Sequence, residues 1–391
     1  MRYLQTFPAL LSGLLLALAP ARLSALPAFA RATGASCVTC HSLPSLQLTA
    51  EGFRFQARGF RMDWSKMDSE NFSLEKTTGI TVDGSVVAVK GAAPSTQAST
   101  PDLQIYSGGA VSDHFSYLAM YHLNSSSDPT QNVEQAYIQY NRDLGEKVHL
   151  AVRGGSFQPL MLRTFGLGAP TALSAPLVLT QPVSSSTPFN LATNLVGFDA
   201  SLMTDWFDFT VGAGNPTTGT AATNPTNRKD AFASALWRMD GQASAVGLFR
   251  YAGTNLVFNT PGDPTSGLVF RDDFTRTGLL FRYLQDKWRF VGAWFKGDHQ
   301  SDALGTRIGN RGYYGELNLS FTENIGTYVR YERIQPVTFD PTQDTKLWLV
   351  GLDGLLFQTA GTGGRWVIEG SKSTQNGVDN KQVMLDFLVA F

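Results

Sequence analysis

From residue 79 onward the chain divides into segments of about ten residues in which apolar and polar side chains alternate. In one such segment Phe207, Phe209 and Val211 alternate with Asp208 and Thr210. A strand with this period places one set of side chains on each face of a sheet, so one face suits lipid and the other suits water. The pattern is the sequence signature of a transmembrane β-barrel.

The connections between these segments alternate in length. Short ones lie at 112–113, 143–146, 204–205, 240–241, 285–286, 322–324 and 358–363. Long polar ones lie at 91–101, 124–132, 158–193, 215–227, 253–270, 298–310, 335–344 and 373–381. Short periplasmic turns, longer external loops and an even strand number are typical of outer-membrane barrels, whereas a soluble β-sandwich does not produce this one-sided alternation.

These connections predict an all-β fold, a 16-stranded antiparallel transmembrane β-barrel over residues 79–391. A barrel of this strand number is wide enough to enclose an aqueous channel. The last segment, from Val383 to the terminal Phe391, is apolar at every second residue and ends on an aromatic side chain. It resembles the C-terminal recognition signal for the assembly of outer-membrane barrels.

Composition excludes several other classes of protein. Charged residues make up 16% of the chain, compared with about 25% in soluble domains, while hydrophobic residues make up 43%. No apolar run beyond residue 30 approaches the roughly 20 residues of a spanning helix, which argues against a helical membrane protein. The net charge of −1 provides no basic field for nucleic acid, so no nucleic-acid partner is expected.

The N-terminus predicts export. Arg2 precedes the apolar segment 7–20, and the small residues Ser24 and Ala25 follow it, as in a secretory signal peptide spanning residues 1–25. A retained membrane anchor is the alternative, but this apolar segment is shorter than the roughly 20 residues that a span requires. The mature chain is therefore expected in an oxidising compartment, where free thiols seldom persist.

Cys37 and Cys40 are the only cysteines, and His41 follows directly. C-x-x-C-H is the attachment signature of c-type haem, because two thiols one helical turn apart add to the haem vinyl groups and the adjacent imidazole coordinates the iron. A zinc site needs further Cys or His ligands, a redox motif normally accompanies a βαβ unit, and a disulfide across so short a loop removes little chain entropy. We therefore expect one covalently attached haem on Cys37 and Cys40, with His41 as the ligand to the iron.

The haem segment, residues 26–78, is too small to be expected to fold without a metal or a surrounding container. A helix beginning near Thr49 is predicted to place an apolar stripe of Phe53, Ala57 and Phe60 on one face. Three arginines fall on another face, where they either pair with haem propionates or form a solvated basic face: Arg54, Arg58 and Arg61. The segment is expected to be a plug inside the barrel.

A family resemblance rests on these same residues. From Leu26 through the CVTCH motif to Leu46, and again at Gly52-Phe53-Arg54 and Gly59-Phe60, the sequence resembles the outer-membrane monohaem cytochrome-porin fusions, whose best-known members oxidise ferrous iron. The detailed match covers roughly residues 26 to 62, and a usual Phe-Gly step is here Glu51-Gly52. The resemblance implies haem on Cys37 and Cys40, His41 as proximal ligand, and a barrel around the haem.

The second axial ligand stays open at this level. His or Met is usual at that position in c-type haems. Met62 and Met67 lie in the haem segment, and several residues are assigned to strand faces that point into the lumen: His114, Met120, His122 and His149. Each Met is otherwise a packing residue and each His a polar wall residue. His299 is assigned to an external loop and is not expected to be a ligand.

The function expected from these features is electron transfer across the outer membrane, from extracellular Fe(II), the donor that the resemblance implies, to a periplasmic electron carrier. The alternatives are a diffusion porin with a haem-bearing plug or sensor, and outward electron transfer to an external acceptor. Ferrous-iron oxidase activity follows only in the first case. Acidic residues near the external rim attract cations or simply solvate the loops: Asp263, Asp272, Asp273, Asp298, Asp302, Asp340 and Asp344.

Overall fold

The computed structural model describes most of the chain from residue 27 onward. The described residues are 27–42, 44–45, 47–62, 73–90, 96–99, 102–123, 133–145, 147–159, 172–173, 175–184, 187, 189–216, 228–239, 244–260, 264–285, 287–337, 340, 343–359, 362–375 and 377–391. The predicted signal peptide, residues 1–25, lies outside them. Within the described residues, no helix is both long enough and apolar enough to cross a membrane.

Sixteen long strands form the wall. They are β1 Thr78–Val89, β2 Asp102–Ala110, β3 Phe115–His122, β4 Val133–Asp143, β5 His149–Phe157, β6 Leu195–Met203, β7 Phe207–Pro216, β8 Asp230–Arg238, β9 Ala245–Phe258, β10 Leu268–Leu284, β11 Trp288–Gln300, β12 Arg307–Ser320, β13 Ile325–Gln335, β14 Thr345–Thr359, β15 Thr362–Gln375 and β16 Val378–Ala390. Each pairs antiparallel with its neighbours in sequence, and β16 closes the barrel on β1. A three-residue strand, Thr96–Ala98, also pairs with β1. The predicted fold is confirmed.

Helices are few and short. They are α1 Pro27–Thr33, α2 Cys37–Cys40, α3 Ala50–Ala57, α4 Leu74–Thr77 and α5 Leu177–Thr180, with one 3-10 turn at Pro264–Ser266. Two-residue strands at His41–Ser42 and Gln47–Leu48 pair with each other beside α2.

Several strands extend further than the sequence pattern predicts. The expected long loop at 373–381 is wrong, because β15 runs to Gln375 and β16 begins at Val378. The connections expected at 253–270 and 298–310 likewise shrink to 259–267 and 301–306. Polar residues mark where a strand leaves the apolar band, and the strand hydrogen bonds continue beyond that point.

The two faces of the wall differ in chemistry. Outward side chains are mainly apolar and exposed, such as Phe198, Phe209 and Val350. Inward ones include buried ion pairs: the Arg153 and Asp199 side chains lie 2.5 Å apart, and Arg330 Nε lies 2.7 Å from Glu332 Oε1. This is the alternation expected of a lipid-facing barrel.

Two segments of the chain occupy space inside the barrel, which at this strand number is wide enough for an aqueous channel. Residues 27–62, called the plug, contact inward wall residues near the short turns. The described residues between β5 and β6, called the inner loop, fold into the half of the lumen nearer the long loops. One apolar cluster joins the plug, the inner loop and the wall: it includes Phe55, Phe60, Leu179, Phe189 and Phe274.

The inner loop corrects the expected external position for the described part of residues 158–193. Its backbone N–H groups donate to inward carboxylates, from Leu177 to Glu332 at 2.5 Å and from Leu173 to Glu369 at 3.1 Å. Leu179 is fully buried. Buried backbone donors need acceptors, and the wall supplies them from side chains that the sequence alone places on a polar face.

Candidate functional site

The C-x-x-C-H motif lies in the plug. Its two cysteines begin and end the single helical turn α2, and His41 follows in the short strand, paired with Leu48. The Cys40 side chain is partly buried, and burial, with a further contribution from Glu51, raises the pKa of its thiol to about 11. The motif is therefore folded against other parts of the plug.

Helix α3 fixes the motif backbone. Thr49 donates its backbone N–H to the Cys40 carbonyl at 2.9 Å and its hydroxyl to the Thr39 carbonyl at 2.6 Å. The same hydroxyl caps α3 by accepting from the Gly52 N–H at 3.2 Å. One side chain thus joins the start of α3 to the end of α2.

Gly52 is required by this close approach. A Cβ atom at position 52 would lie 2.1 Å from the Cys40 carbonyl oxygen and 2.9 Å from a Leu48 methyl group. Because the first of these atoms belongs to the backbone, it cannot move aside as a flexible side chain does. Glycine at position 52 therefore allows the first turn of α3 to pack directly against the Cys40 backbone.

Cys40 and His41 line a cavity of about 620 Å³, a volume that includes its open side. The remaining described lining residues are mostly small or apolar: Phe29, Ala30, Thr33, Ala35, Ser36, Leu48, Gly52, Phe55, Gln56 and Phe60. Of the two thiols and the imidazole that a haem on this motif requires, the cavity supplies the Cys40 thiol and the His41 imidazole beside an aromatic wall, so the described residues fit the predicted cofactor.

Three phenylalanines form the aromatic wall. The rings of Phe29 and Phe60 stack with centroids 4.9 Å apart, and Phe55 meets Phe29 edge-on at 5.3 Å. Phe60 lies after the end of α3 and has a positive φ of 65°, which turns the chain back towards α1. The predicted stripe is therefore corrected, because α3 ends at Ala57 and Phe55 takes the position expected for Phe53.

Phe53 instead anchors the plug to the wall. The guanidinium carbon of Arg282 lies 3.9 Å from the centroid of the Phe53 ring, a cation–π contact in a buried setting. Arg289 donates to the Ser45 hydroxyl at 2.6 Å. Both wall residues project from the short-turn ends of β10 and β11.

Other anchors lie across the lumen. Gln139 on β4 donates to the Ala57 carbonyl at 3.0 Å, and Arg61 donates to the Ser112 carbonyl in the turn before β3. Near the start of β1, Arg31 donates to the Thr78 carbonyl at 2.5 Å. The plug is thus held from several sides of the barrel.

The three predicted propionate partners are not among the described residues that line this cavity. Arg54 and Arg58 lie 3.6 and 3.9 Å from the Glu51 carboxylate and line a separate cavity of about 470 Å³ with Lys147. Arg61 is buried against the wall, where desolvation lowers its pKa against the opposing effect of nearby carboxylates. Arg54 and Arg58 therefore lie on one side of α3, whereas Arg61 departs from that side because the helix ends at Ala57.

The candidate distal ligands are dispersed. Met62 is partly buried and packs against the apolar lumen cluster, whereas Met67 lies outside the described residues. Among the described residues that line the cavity beside Cys40 and His41, no second His or Met is present. Met120 also packs against the apolar cluster, on β3.

The wall histidines each have hydrogen-bond partners elsewhere. His149 Nδ1 lies 3.0 Å from Asp143, and His114 Nδ1 lies 3.1 Å from the Asn141 carbonyl oxygen. His122 lies at the long-loop end of the lumen between two carboxylates. His299 is not in a loop but buried on β11, 3.3 Å from Asp272.

A β-bulge brings the carboxylate of Glu134 next to His122. Its Nδ1 lies 2.8 Å from Asp102 and its Nε2 lies 3.2 Å from Glu134. The register between β3 and β4 shifts after Met120, so Glu134 turns inward although simple alternation would place it outside.

The acidic residues do not form a metal site in the described structure. Asp272 is fully buried, where it accepts from the Thr187 hydroxyl at 2.5 Å and fixes the inner loop. Asp298 pairs with Arg307 on the outer face. Within the described residues, no group of three or more His, Cys, Asp or Glu side chains is arranged to hold a metal ion. Asp263 lies outside these residues.

Sequence reasoning missed Phe29, Gln56 and Arg282. Phe29 lies ahead of the motif, and Gln56 follows Gly52 by one helical turn, so the i, i+4 spacing from Gly52 was an available signal for Gln56. Arg282 is distant in sequence from the plug, and no local pattern links it to Phe53.

Comparison with known proteins shows similarity in fold and no closer relationship. No family model and no curated protein matches the sequence. Among solved structures, the anion-selective porin from Comamonas acidovorans is similar with a TM-score of 0.55 at 11% identity, over 81% of this chain and 99% of the porin. OprB of Pseudomonas putida, in its high-pH structure, has a TM-score of 0.53 at 12% identity, over 81% and 95% of the two chains.

In-vitro folded OmpT, an outer membrane protein of Vibrio cholerae, has a TM-score of 0.52 at 9% identity, over 80% of this chain and 96% of OmpT. At such low identity these similarities establish a porin-like barrel and nothing about what passes through it.

Proposed function

We propose that this protein is an outer-membrane c-type cytochrome-porin that carries electrons from extracellular Fe(II) to a periplasmic electron carrier. One observation carries the proposal: Cys40 and His41 line an aromatic cavity on a plug that is anchored inside a porin-like barrel. A bilayer of about 30 Å blocks both ions and electrons, so a redox centre held within a barrel supplies a route across it.

The residues have separate roles. Cys37 and Cys40 would hold the haem through thioethers, and His41 would coordinate its iron; when bound, the haem supplies one-electron transfer. Phe29, Phe55 and Phe60 exclude water from the cavity. Excluding water keeps the local dielectric constant low and limits the solvent rearrangement that accompanies a change of charge.

The outer-membrane location is supported by the apolar outer face of the barrel and by the structural neighbours, which include OmpT, an outer membrane protein. We infer the usual orientation, with short turns on the periplasmic side. In this orientation the plug lies at the periplasmic end of the lumen, where a periplasmic carrier can approach it.

The plug and the inner loop inside the barrel favour electron transfer over solute diffusion. The apolar cluster of plug, inner loop and wall occupies space that a diffusion porin keeps open to water. The anion-selective porin resembles this chain in fold, and its selectivity does not transfer at 11% identity. A diffusion porin with a haem-bearing plug is the second candidate.

The test combines redox titration with rapid mixing of the haem-loaded full chain and ferrous sulfate under anaerobic conditions. We expect ferrous iron to convert the oxidised haem spectrum to the reduced one, at a potential that the titration defines. Planar-bilayer conductance is measured on the same preparation. High solute conductance together with no reduction by iron at acidic or neutral pH contradicts the electron conduit and favours the diffusion porin.

The direction of transfer requires a second arrangement. Protein reconstituted in vesicles with its long loops outward is reduced from inside or from outside in separate experiments. Faster reduction by external iron, followed by electron delivery to an enclosed acceptor, supports inward transfer. Efficient transfer only from an enclosed donor to an external acceptor supports the outward alternative.

A further inference from the structure

Cations on one half of the barrel form a row on its outer face. Four outward residues on adjacent strands are paired one after the other across the sheet: Arg250 on β9, Thr277 on β10, Lys296 on β11 and Arg311 on β12. Arg333 on β13 and Lys346 on β14 are also direct partners. We call five of these residues the basic row: Arg250, Lys296, Arg311, Arg333 and Lys346.

The basic row points away from the lumen. Lys296 and Arg311 are exposed, and the residues on either side of each in sequence, such as Phe295 and Gly312, are more buried. Arg250 is likewise exposed between the buried Phe249 and Tyr251. Side chains on alternate positions of a strand share a face, so the basic row shares the face of the exposed apolar side chains.

Aromatic residues fix the height of the row. Each of four cations lies two residues from an outward aromatic side chain that is nearer to the short turns: Lys296 with Trp294, Arg311 with Tyr313, Arg333 with Tyr331, and Lys346 with Trp348. The rings of Tyr331 and Trp348 lie 4.4 Å apart, so the aromatics form a band of their own. Outward aromatic bands mark the membrane–water interface, which places the basic row at the level of lipid head groups.

The positive charge of the row is only partly neutralised. Arg333 Nε donates to Asp344 at 3.0 Å, whereas Arg311 donates to the neutral amide of Gln335. Neither Lys296 nor Lys346 forms a salt bridge within the part of the chain that the structure describes. Charges that remain unneutralised at head-group level attract anions.

The opposite half of the wall provides the contrast. On strands β2 to β8, as far as the structure describes them, the outward positions carry one cation, Arg142, and it lies near a short turn. Outward residues of β5, for example, are Leu150, Val152, Gly154 and Ser156. A general need for surface charge would not concentrate the cations on one side and at one height.

We propose that the basic row binds the phosphate groups of an anionic lipid in the leaflet that faces the long loops. This inference rests on the proposed outer-membrane location. Between β9 and β14 the row crosses five strand spacings, about 24 Å at ~4.8 Å each, which is longer than one phosphate group requires. A lipid with more than one phosphate therefore matches the row best, because it engages several cations at once.

The experiment uses haem-loaded full-length protein in phosphatidylcholine nanodiscs that contain increasing amounts of diphosphorylated lipid A. Lipid retained by the protein is counted by native mass spectrometry. The test variant carries Lys296→Gln, Arg311→Gln and Lys346→Gln. Each surface cation contributes about fivefold to the binding of an anionic membrane surface, so we expect the lipid affinity of this variant to fall roughly hundredfold.

A matched control removes the same number of cations near the short turns, by Arg142→Gln, Lys147→Gln and Lys287→Gln. We expect it to retain lipid A as the wild-type protein does. Equal retention by the test variant and the wild-type protein overturns the proposal. So does equal binding of dephosphorylated lipid A to the wild-type protein, a measurement that needs no variant and therefore holds even if the triple substitution prevents folding.

Two further arms separate the explanations. Inorganic phosphate at the same phosphate concentration is expected not to displace lipid A; full displacement would assign the row to free phosphate and contradict lipid binding. Haem content and the redox titration are measured on every variant. If iron does not reduce the haem of the wild-type protein although that protein retains lipid A, the proposed function alone is contradicted. Loss of lipid retention by the test variant with unchanged redox behaviour confirms the lipid site separately.

Discussion

The barrel wall and the plug are specified in different ways. Each wall strand is held by a ladder of hydrogen bonds to two neighbours, and the pattern repeats around the barrel. The plug contains only short elements, and single contacts decide its position, such as the Gly52 backbone against Cys40 and the Phe53 ring against Arg282. The effect of a substitution on the stability of the wall is therefore spread over many equivalent interactions. A substitution in the plug can remove a contact that no other residue repeats.

The sharpest separation of the two regions comes from removing both thiols. We expect Cys37→Ala with Cys40→Ala to abolish covalent haem completely, because no other cysteine exists in the chain. The barrel should still fold, since its strand ladders do not involve the motif. Haem staining after denaturing electrophoresis measures the first effect, and slower or faster migration of unboiled protein measures the second.

Haem retained after denaturation of this variant would contradict the attachment chemistry. Loss of the heat-modifiable folded form would show instead that the wall depends on the plug, and the contrast between the two regions would then be wrong.

The second expected effect is local. Gly52→Ala places a Cβ 2.1 Å from the Cys40 carbonyl oxygen, so α3 must move away from the motif. We expect a loss of about 3 kcal/mol in the local stability of the plug. Hydrogen exchange of α3 amides measures it, and haem incorporation should fall in parallel.

Gly84→Ala is the matched control in the wall. No atom lies within 4 Å of the position that its Cβ would occupy, and Gly84 is a strand residue. Ala in a strand loses less backbone entropy on folding than Gly, so this change should be neutral or slightly stabilising. Equal destabilisation by Gly52→Ala and Gly84→Ala would contradict a specific requirement for glycine at position 52.

Most of the wall was predictable because its physics repeats. Period-two alternation and the position of the short turns lead directly to sixteen antiparallel strands. Strand ends were less accurate, as at 373–381, because hydropathy reports the edge of the apolar band and not the last hydrogen bond. The length of the inner loop and its many Pro, Ser and Thr residues predict an external loop, whereas inward carboxylates such as Glu332 accept its backbone N–H groups inside the barrel.

The plug was predictable only where chemistry dictates spacing. The C-x-x-C-H motif predicts the residues that would hold haem, and two of them, Cys40 and His41, line one cavity. The neighbours of that cavity depend on contacts between distant parts of the chain, and helical periodicity chose Phe53 where the structure has Phe55. The end of α3 at Ala57 accounts for this error and for the altered position of Arg61.

The third expected effect tests the long-range anchor. Phe53→Leu keeps an apolar side chain but removes the ring beneath Arg282, and a desolvated cation–π contact contributes up to about 2 kcal/mol. We expect faster hydrogen exchange in α3 and no change in the wall strands. The control is Phe281→Leu, which removes an outward ring beside Arg282 on β10 and should leave hydrogen exchange in α3 unchanged. Slower exchange in α3 after Phe53→Leu would contradict the anchor.

The smallest expected effect concerns a single hydroxyl. Thr49→Ala removes the acceptor of the Gly52 N–H and the donor to the Thr39 carbonyl, while the backbone bond to Cys40 stays in place. Loss of an N-cap costs about 1 kcal/mol, which corresponds to roughly fivefold faster exchange of the Gly52 amide. Thr49→Ser retains the hydroxyl and should restore protection. Because the methyl group is lost in both variants, restoration by Ser assigns the effect to the hydrogen bonds; equal exchange in Ala and Ser would assign it to packing, and the plug would then resemble the wall in spreading its stability over many weak contacts.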